Sequence, residues 1–177
     1  MSKDIIIIQT GFKRSGTTFL VNLLYGFIIP NEAIHGYFDT EEEQLEPFSE
    51  CSIFKSHILN IEDIINKYSN KYQLYFIITE RDKKIDEKYK ELHNVLIFDY
   101  YKELLETEDN SIQNIIDNAY IKLSLFLPDN IHLSKEWAIN RINNMNNIYE
   151  EIKEYDFSYI DDFFALHGSH RNYKFDS

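Results

Sequence analysis

The eight residues Gly11-Phe12-Lys13-Arg14-Ser15-Gly16-Thr17-Thr18 have the types and spacing needed to bind an oxyanion. Phosphate at a helix N-terminus requires free backbone N–H groups, close approach allowed by glycine, and hydroxyl donors. Gly16, Thr17 and Thr18 supply these, and Lys13 or Arg14 adds positive charge. The Gly-x4-Gly spacing matches the nucleotide P-loop, but Thr17 stands where that motif requires Lys. NTPases and kinases use this Lys on the β- and γ-phosphates, so its replacement weighs against NTP chemistry. A glycine-containing turn that binds nothing is the plainer alternative. The location of the string, directly after an apolar strand and before a helix, favours anion binding.

Three further segments carry candidate chemistry. In Ile53-Phe54-Lys55-Ser56-His57 the two basic side chains lie two residues apart at a strand end, hence on one side of it. A neutral imidazole can take a hydroxyl proton near pH 7, and an ammonium can offset negative charge on an oxyanion. Alternatively, His57 caps backbone and Lys55 is solvated. The apolar stretch Tyr75 to Ile78 runs through Thr79 and Glu80 into Arg81, whose guanidinium suits bidentate pairing with phosphate; pairing with Glu80 or Asp82 is the competing role. Val95 to Phe98 leads into Asp99, which matches a Mg²⁺-holding strand end in an NTPase. With the loop Lys missing, a structural Asp99 is favoured. Near the C-terminus, His167 and His170 sit at i, i+3, but no third metal ligand is evident.

Arg14-Ser15-Gly16-Thr17-Thr18-Phe19-Leu20 resembles the 5′-phosphosulfate loop of the sulfotransferases, where Lys or Arg precedes Ser-Gly-Thr-Thr and an aromatic residue follows. The resemblance implies a fold similar to nucleotide kinases and transfer of a sulfuryl group from 3′-phosphoadenosine 5′-phosphosulfate (PAPS) to a hydroxyl or amine. It makes Lys13, Arg14, Ser15, Gly16, Thr17 and Thr18 cofactor-binding, with Arg14 in the place of the family's loop Lys. Lys55 and His57 look like the Lys-Thr-His segment, in which His is the general base and Lys steadies the transferring group. Arg81 resembles the Arg that binds the cofactor's 3′-phosphate. Two departures stand out: Lys83 replaces a Pro, and Tyr89 occupies the place of a Ser. Some sulfotransferases use a Glu as base, which makes Glu41, Glu42 or Glu43 the reserve. Many end in a basic, glycine-containing segment, for which Arg171 and Lys174 are loose counterparts.

These residues need strands and helices to hold them. Ile5 to Ile8 is apolar on both faces and predicts a buried parallel strand. From Thr17 the period changes: Phe19, Leu20, Leu23, Leu24 and Phe27 fall at helical spacing, and Pro30 stops the helix. Strands are expected at Ser52–Ser56, Leu74–Thr79 and Asn94–Phe98, with a weaker one at Ala33–Gly36. A helix carrying Ile61, Ile64, Ile65 and Tyr68 on one stripe should be capped by Asn60. Ile112, Ile115, Ile116, Ala119 and Leu123 predict another helix, ended by Pro128. A last helix, capped by Ser134, carries Trp137, Arg141, Met145, Ile148 and Ile152. The alternation predicts one α/β domain over residues 1–177: a three-layer, P-loop-like fold with a mostly parallel sheet and a helical C-terminal half.

Composition bounds the function. With 177 residues, 44% hydrophobic and 27% charged, the chain can bury a core and is not disordered. Its net charge of −12 argues against nucleic acid or an anionic membrane as partner. The sole cysteine, Cys51, excludes an internal disulfide and a multi-cysteine zinc site. No apolar run reaches the roughly 20 residues of a membrane span, so a soluble, cytoplasmic protein is expected. The expected partners are a nucleotide and an unidentified acceptor, and the resemblance allows a homodimer. Two alternatives stand beside the enzyme: a non-catalytic nucleotide-binding module of the same fold, and a P-loop nucleotide kinase.

Overall fold

The computed structural model of the chain describes residues 2–12, 15, 17–28, 36–37, 45–46, 50–57, 60–99, 102–103, 112–136 and 138–139. The run Ile5 to Ile8 begins strand β1 (Ile5–Gly11), which is buried at all seven positions. Around it lie β2 (Gly36–Tyr37), β3 (Cys51–Lys55), β4 (Gln73–Glu80) and β5 (Val95–Asp99). All four pairings are parallel, in the order β2-β3-β1-β4-β5. Only a strand covered on both faces tolerates four isoleucines in succession, and β1 is that central strand.

Helices α1 (Thr17–Ile28) and α2 (Ile61–Tyr68), with a 3-10 turn at Glu87–Glu91 and helix α3 (Ile112–Phe126), complete the described elements. The connection β1–α1–β2 steps across the sheet one way, whereas the links to β3, through α2 to β4, and on to β5 step the other way. Right-handed crossovers then require α1 on one face and α2 on the other. The two cores obey this. Ile5, Ile7, Ile53, Ile77 and Phe98 pack with α1 and α3. Ile6, Ile8, Phe54, Phe76 and Ile78 pack with α2, Ile85 and Tyr89. The period-2 alternation of each strand thus divides its side chains between two apolar layers. Burying one such side chain contributes about 1.5–3 kcal/mol relative to leaving it exposed.

Helix α2 forms as its sequence predicts. Asn60 Oδ1 accepts from Asp63 N at 3.3 Å, Glu62 and Asp63 occupy the first turn, and Lys67 lies in the last. Each charge faces the helix end of opposite partial charge. Tyr68 closes the buried stripe and accepts from Leu45 N at 3.2 Å. Elsewhere the predicted boundaries shift by a residue or two. Expected at Ser52–Ser56, β3 ends at Lys55, yet Ser56 N still donates to Gln9 O at 2.8 Å. The weak strand expected at Ala33–Gly36 is the pair Gly36–Tyr37, and residues 33–35 lie outside the described ones. Residues 135–136 and 138–139 after Ser134 are helical; Trp137 and the rest of the predicted last helix lie outside the described residues. Among the described residues, no helix is long and apolar enough to cross a membrane.

That C-terminal turn seats on α1. Ser134 N donates to Phe27 O at 2.9 Å, and a methyl group on Gly26 would meet Ala138 Cα at 2.5 Å. Alanine is the better helix former by about 1 kcal/mol, but overpacking costs about 1–3 kcal/mol. Gly26→Ala should therefore lower stability in a urea melt. A raised midpoint would show that the 134–138 segment does not rest on the helix.

Candidate functional site

Three segments leave adjacent parallel strands at their C-terminal ends: the 11–18 loop after β1, Lys55-Ser56-His57 after β3, and Arg81 after β4. The central strand is also where the chain reverses its direction across the sheet, and open α/β sheets bind ligands in the crevice at such a point. Residues distant in sequence are thereby brought to one rim.

The root of the loop is held by close backbone packing. Gly11 pairs with Thr79 across the β1–β4 ladder. A methyl group on Gly11 would lie 2.5 Å from Thr79 Oγ1 and 2.7 Å from Ser15 Oγ. Glycine is required here because the space belongs to those two hydroxyls. Ser15 N and Oγ both donate to Phe12 O, at 3.2 and 2.7 Å, which closes the turn. With its own proton on Phe12 O, Ser15 Oγ accepts from Thr79 Oγ1 at 2.7 Å. Ser15 and Thr79 are both buried, so this pair ties Ser15 to the C-terminal end of β4. Thr17, also buried, starts α1, and Thr18 follows in the same helix.

On the other flank, Lys55 is 8% exposed, an unusual depth for an ammonium at a strand end. It stands in register with Gln9 of β1 and Tyr37 of β2. His57 Nδ1 lies 3.2 Å from the Gly11 carbonyl. A carbonyl oxygen only accepts, so Nδ1 carries the proton, and in the neutral ring Nε2 is the basic nitrogen. The imidazole is thus tied by its Nδ1 to the start of the loop.

At the end of β4, neighbouring residues take different roles. Glu80 is buried; its Oε1 accepts from Ile85 N at 3.0 Å, and Lys84 Nζ lies 3.8 Å from its Oε2. Lys84 also reaches Asp99 Oδ2 at 3.4 Å, bridging the ends of β4 and β5. Asp99 Oδ1 accepts from Lys102 N at 3.1 Å. Both oxygens of Asp99 thus have partners, Lys84 Nζ and Lys102 N. Arg81 Nε lies 3.3 Å from Asp82 Oδ2, and the two side chains are 14% and 72% exposed. A pair with so exposed a carboxylate contributes about 0–1 kcal/mol. Tyr89 is buried in the core against α2, where it serves packing. Lys83 Nζ sits 4.3 Å from the centre of the Phe12 ring, which sets a further cation beside the loop.

The local charge opposes the global one. No acidic residue occurs between Ile5 and Asn31, although the chain carries a net −12. The first turn of α1 holds no acidic side chain of its own to offset the positive end of the helix. At the opposite end of β3, burial pushes the Cys51 thiol up to about 11, which disfavours the thiolate. Among the described residues, no cluster of three or more His, Cys, Asp or Glu could hold a metal.

Of the residues singled out in the sequence, Ser15, Thr17, Lys55, His57 and Arg81 therefore stand on three adjacent strand ends. Lys13, Arg14 and Gly16 lie outside the described residues, as do Glu41, Glu42, Glu43, His167, His170, Arg171 and Lys174. Thr79, Gln9 and Lys83 are additions. A signal for the first two was present: each is a polar residue closing an apolar strand. Comparison with known proteins adds no relative, because no family model, curated protein or solved structure matches the chain.

Thr79→Val keeps the shape but removes the donor to the buried Ser15 Oγ. The variant should lose about 1–3 kcal/mol in chemical denaturation, and the Ser15 amide should exchange faster with solvent. Unchanged exchange at Ser15 would mean that the hydroxyl pair does not hold the turn.

Proposed function

We propose that the protein binds PAPS at the β1 loop and transfers its sulfuryl group to an acceptor hydroxyl or amine, on a P-loop-like variant of the α/β fold. The observation that carries this reading is the link from His57 Nδ1 to the Gly11 carbonyl at 3.2 Å, beside the buried Lys55. It joins a base and an ammonium to the root of an acid-free, helix-opening loop. The residues present fit such a cofactor: the first turn of α1 carries no acidic side chain, and the Arg81–Asp82 pair is one that an exposed carboxylate can leave.

In this reading the loop amides from Ser15 to Thr18 hold the 5′-phosphosulfate, and Arg81 exchanges Asp82 for the 3′-phosphate. His57 Nε2 takes the proton of the acceptor group. Lys55 offsets charge on the sulfuryl oxygens, and Arg14 stabilises the departing phosphate oxygen. Bound PAPS would supply the activated sulfuryl group, whose bond to the 5′-phosphate breaks as the acceptor bonds to sulfur. The engagement of Asp99 by Lys84 and Lys102 N weighs against a kinase, which would need that carboxylate for Mg²⁺.

Calorimetric titration with adenosine 3′,5′-bisphosphate, AMP, and ATP with Mg²⁺ tests the reading. The bisphosphate should bind tightest. Arg81→Ala should weaken it by roughly tenfold or more, and Asp82→Asn should tighten it up to about fivefold. Preference for ATP with Mg²⁺ would move the protein to the kinases, and no binding of any ligand would end the proposal. His57→Ala should keep bisphosphate affinity within about twofold while turnover falls roughly 10²–10⁴-fold. Turnover within a few-fold of the parent would remove His57 as the base. Binding without turnover across a broad acceptor panel would leave a nucleotide-binding module.

A further inference from the structure

Gln9 is an anomaly within β1. It follows four isoleucines, is fully buried, and carries a primary amide where an aliphatic side chain would pack at no polar cost. Its Nε2 donates to Thr10 O at 3.2 Å, but its Oε1 has no hydrogen-bond donor among the described residues. Buried acceptors are rarely left so, because the lost hydration costs about 1–3 kcal/mol. The amide also has a defined location. Thr10 O, to which it is tied, lies 3.5 Å from Thr79 Oγ1, the hydroxyl that holds Ser15. Gln9 is therefore fixed at the root of the loop, on the sheet face shared by Ile5, Ile7 and Ile53. On that face its register partner is Lys55.

We propose that Gln9 is a positioning residue for the Lys55 ammonium, acting when a pyrophosphate-like oxyanion occupies the loop; this rests on the anion-binding part of the reading above. The chemistry of the acceptor decides the partner. A carbonyl oxygen cannot take a hydrogen bond from a fully ionised phosphate or sulfate, since both sides only accept. It needs a donor, and the ammonium has three N–H groups. On anion binding, Lys55 gives one proton to Gln9 Oε1 and directs the others at the anion. The amide then directs the ammonium, and a charge-assisted bond offsets the cost of the buried carbonyl. The anion itself never touches Gln9.

A double-mutant cycle on pyrophosphate affinity tests this, with Gln9→Met, Lys55→Met and the double variant. Methionine conserves volume and removes the acceptor; Gln9→Leu is the smaller substitute if methionine overfills the site. In the ligand-free protein Gln9→Met should melt at the parent temperature or above it, because an unpaired acceptor has been removed. The same change should weaken pyrophosphate roughly tenfold, and it should cause no further loss once Lys55 is Met. Equal losses in both backgrounds would show that Gln9 does not act through Lys55. Unchanged affinity in Gln9→Met, or a lowered ligand-free melting temperature in both Gln9 variants, would also overturn the proposal. Pyrophosphate binding without bisphosphate binding would refute the sulfuryl-transfer function and leave the Gln9–Lys55 pairing standing. Absence of both would refute the two together.

Discussion

The described structure depends on how closely β1 and β4 approach at Gly11. No side-chain atom fits between that backbone and Thr79, and the space is filled by the Ser15–Thr79 hydroxyl pair. Strand pairing below this point and the turn above it share the same few ångströms. A change that separates the strands would therefore also release the loop. This coupling lets a buried apolar sheet hold the polar residue Ser15 at its rim.

A second constraint is electrostatic. A protein with net charge −12 repels anions at long range, yet its first 31 residues contain a single acidic side chain, Asp4. Acidic residues at the rim are neutralised locally: Glu80 and Asp99 share Lys84, and Asp82 lies against Arg81. The positive end of α1, the depth of Lys55 and the cation over Phe12 then act over distances shorter than the Debye length of about 8–10 Å. Short-range attraction inside long-range repulsion favours a small, highly charged ligand over a polyanion.

Much of this arrangement was legible in the amino-acid sequence, and the reasons are physical. Ile5 to Ile8 could only be a strand covered on both faces, and Asn60 with Glu62 and Asp63 could only favour a helix start. Parallel order followed from the alternation of elements. Boundaries were less legible, because ladder hydrogen bonds outlast the apolar pattern, as Ser56 N bonded to Gln9 O shows. The 3-10 turn at Glu87–Glu91 has too few residues to display a period, and Tyr89 within it is core. Lys55 and His57 were evident as a pair, but the tie of His57 to the Gly11 carbonyl joins residues 46 apart. Gln9 and Thr79 show in the sequence as polar residues after apolar runs, but their partners, Lys55 in register with Gln9 and Ser15 bonded to Thr79, come from the fold.

The central position of β1 also bears on how the chain is made. Ile5 pairs with Cys51 on one side and Gln73 on the other, both later in the chain, so β1 waits for both neighbours. At roughly 5–20 residues per second, about 3–14 seconds separate the emergence of β1 from that of β4. Until β3 follows, Ile5-Ile6-Ile7-Ile8-Gln9-Thr10 is an uncharged, proline-free, strongly β-forming segment with both edges unpaired, and the edge that β4 covers stays open to the end of the interval. Such a segment self-associates readily. The residue run that makes the sheet durable once closed makes the nascent chain dependent on protection from its own copies.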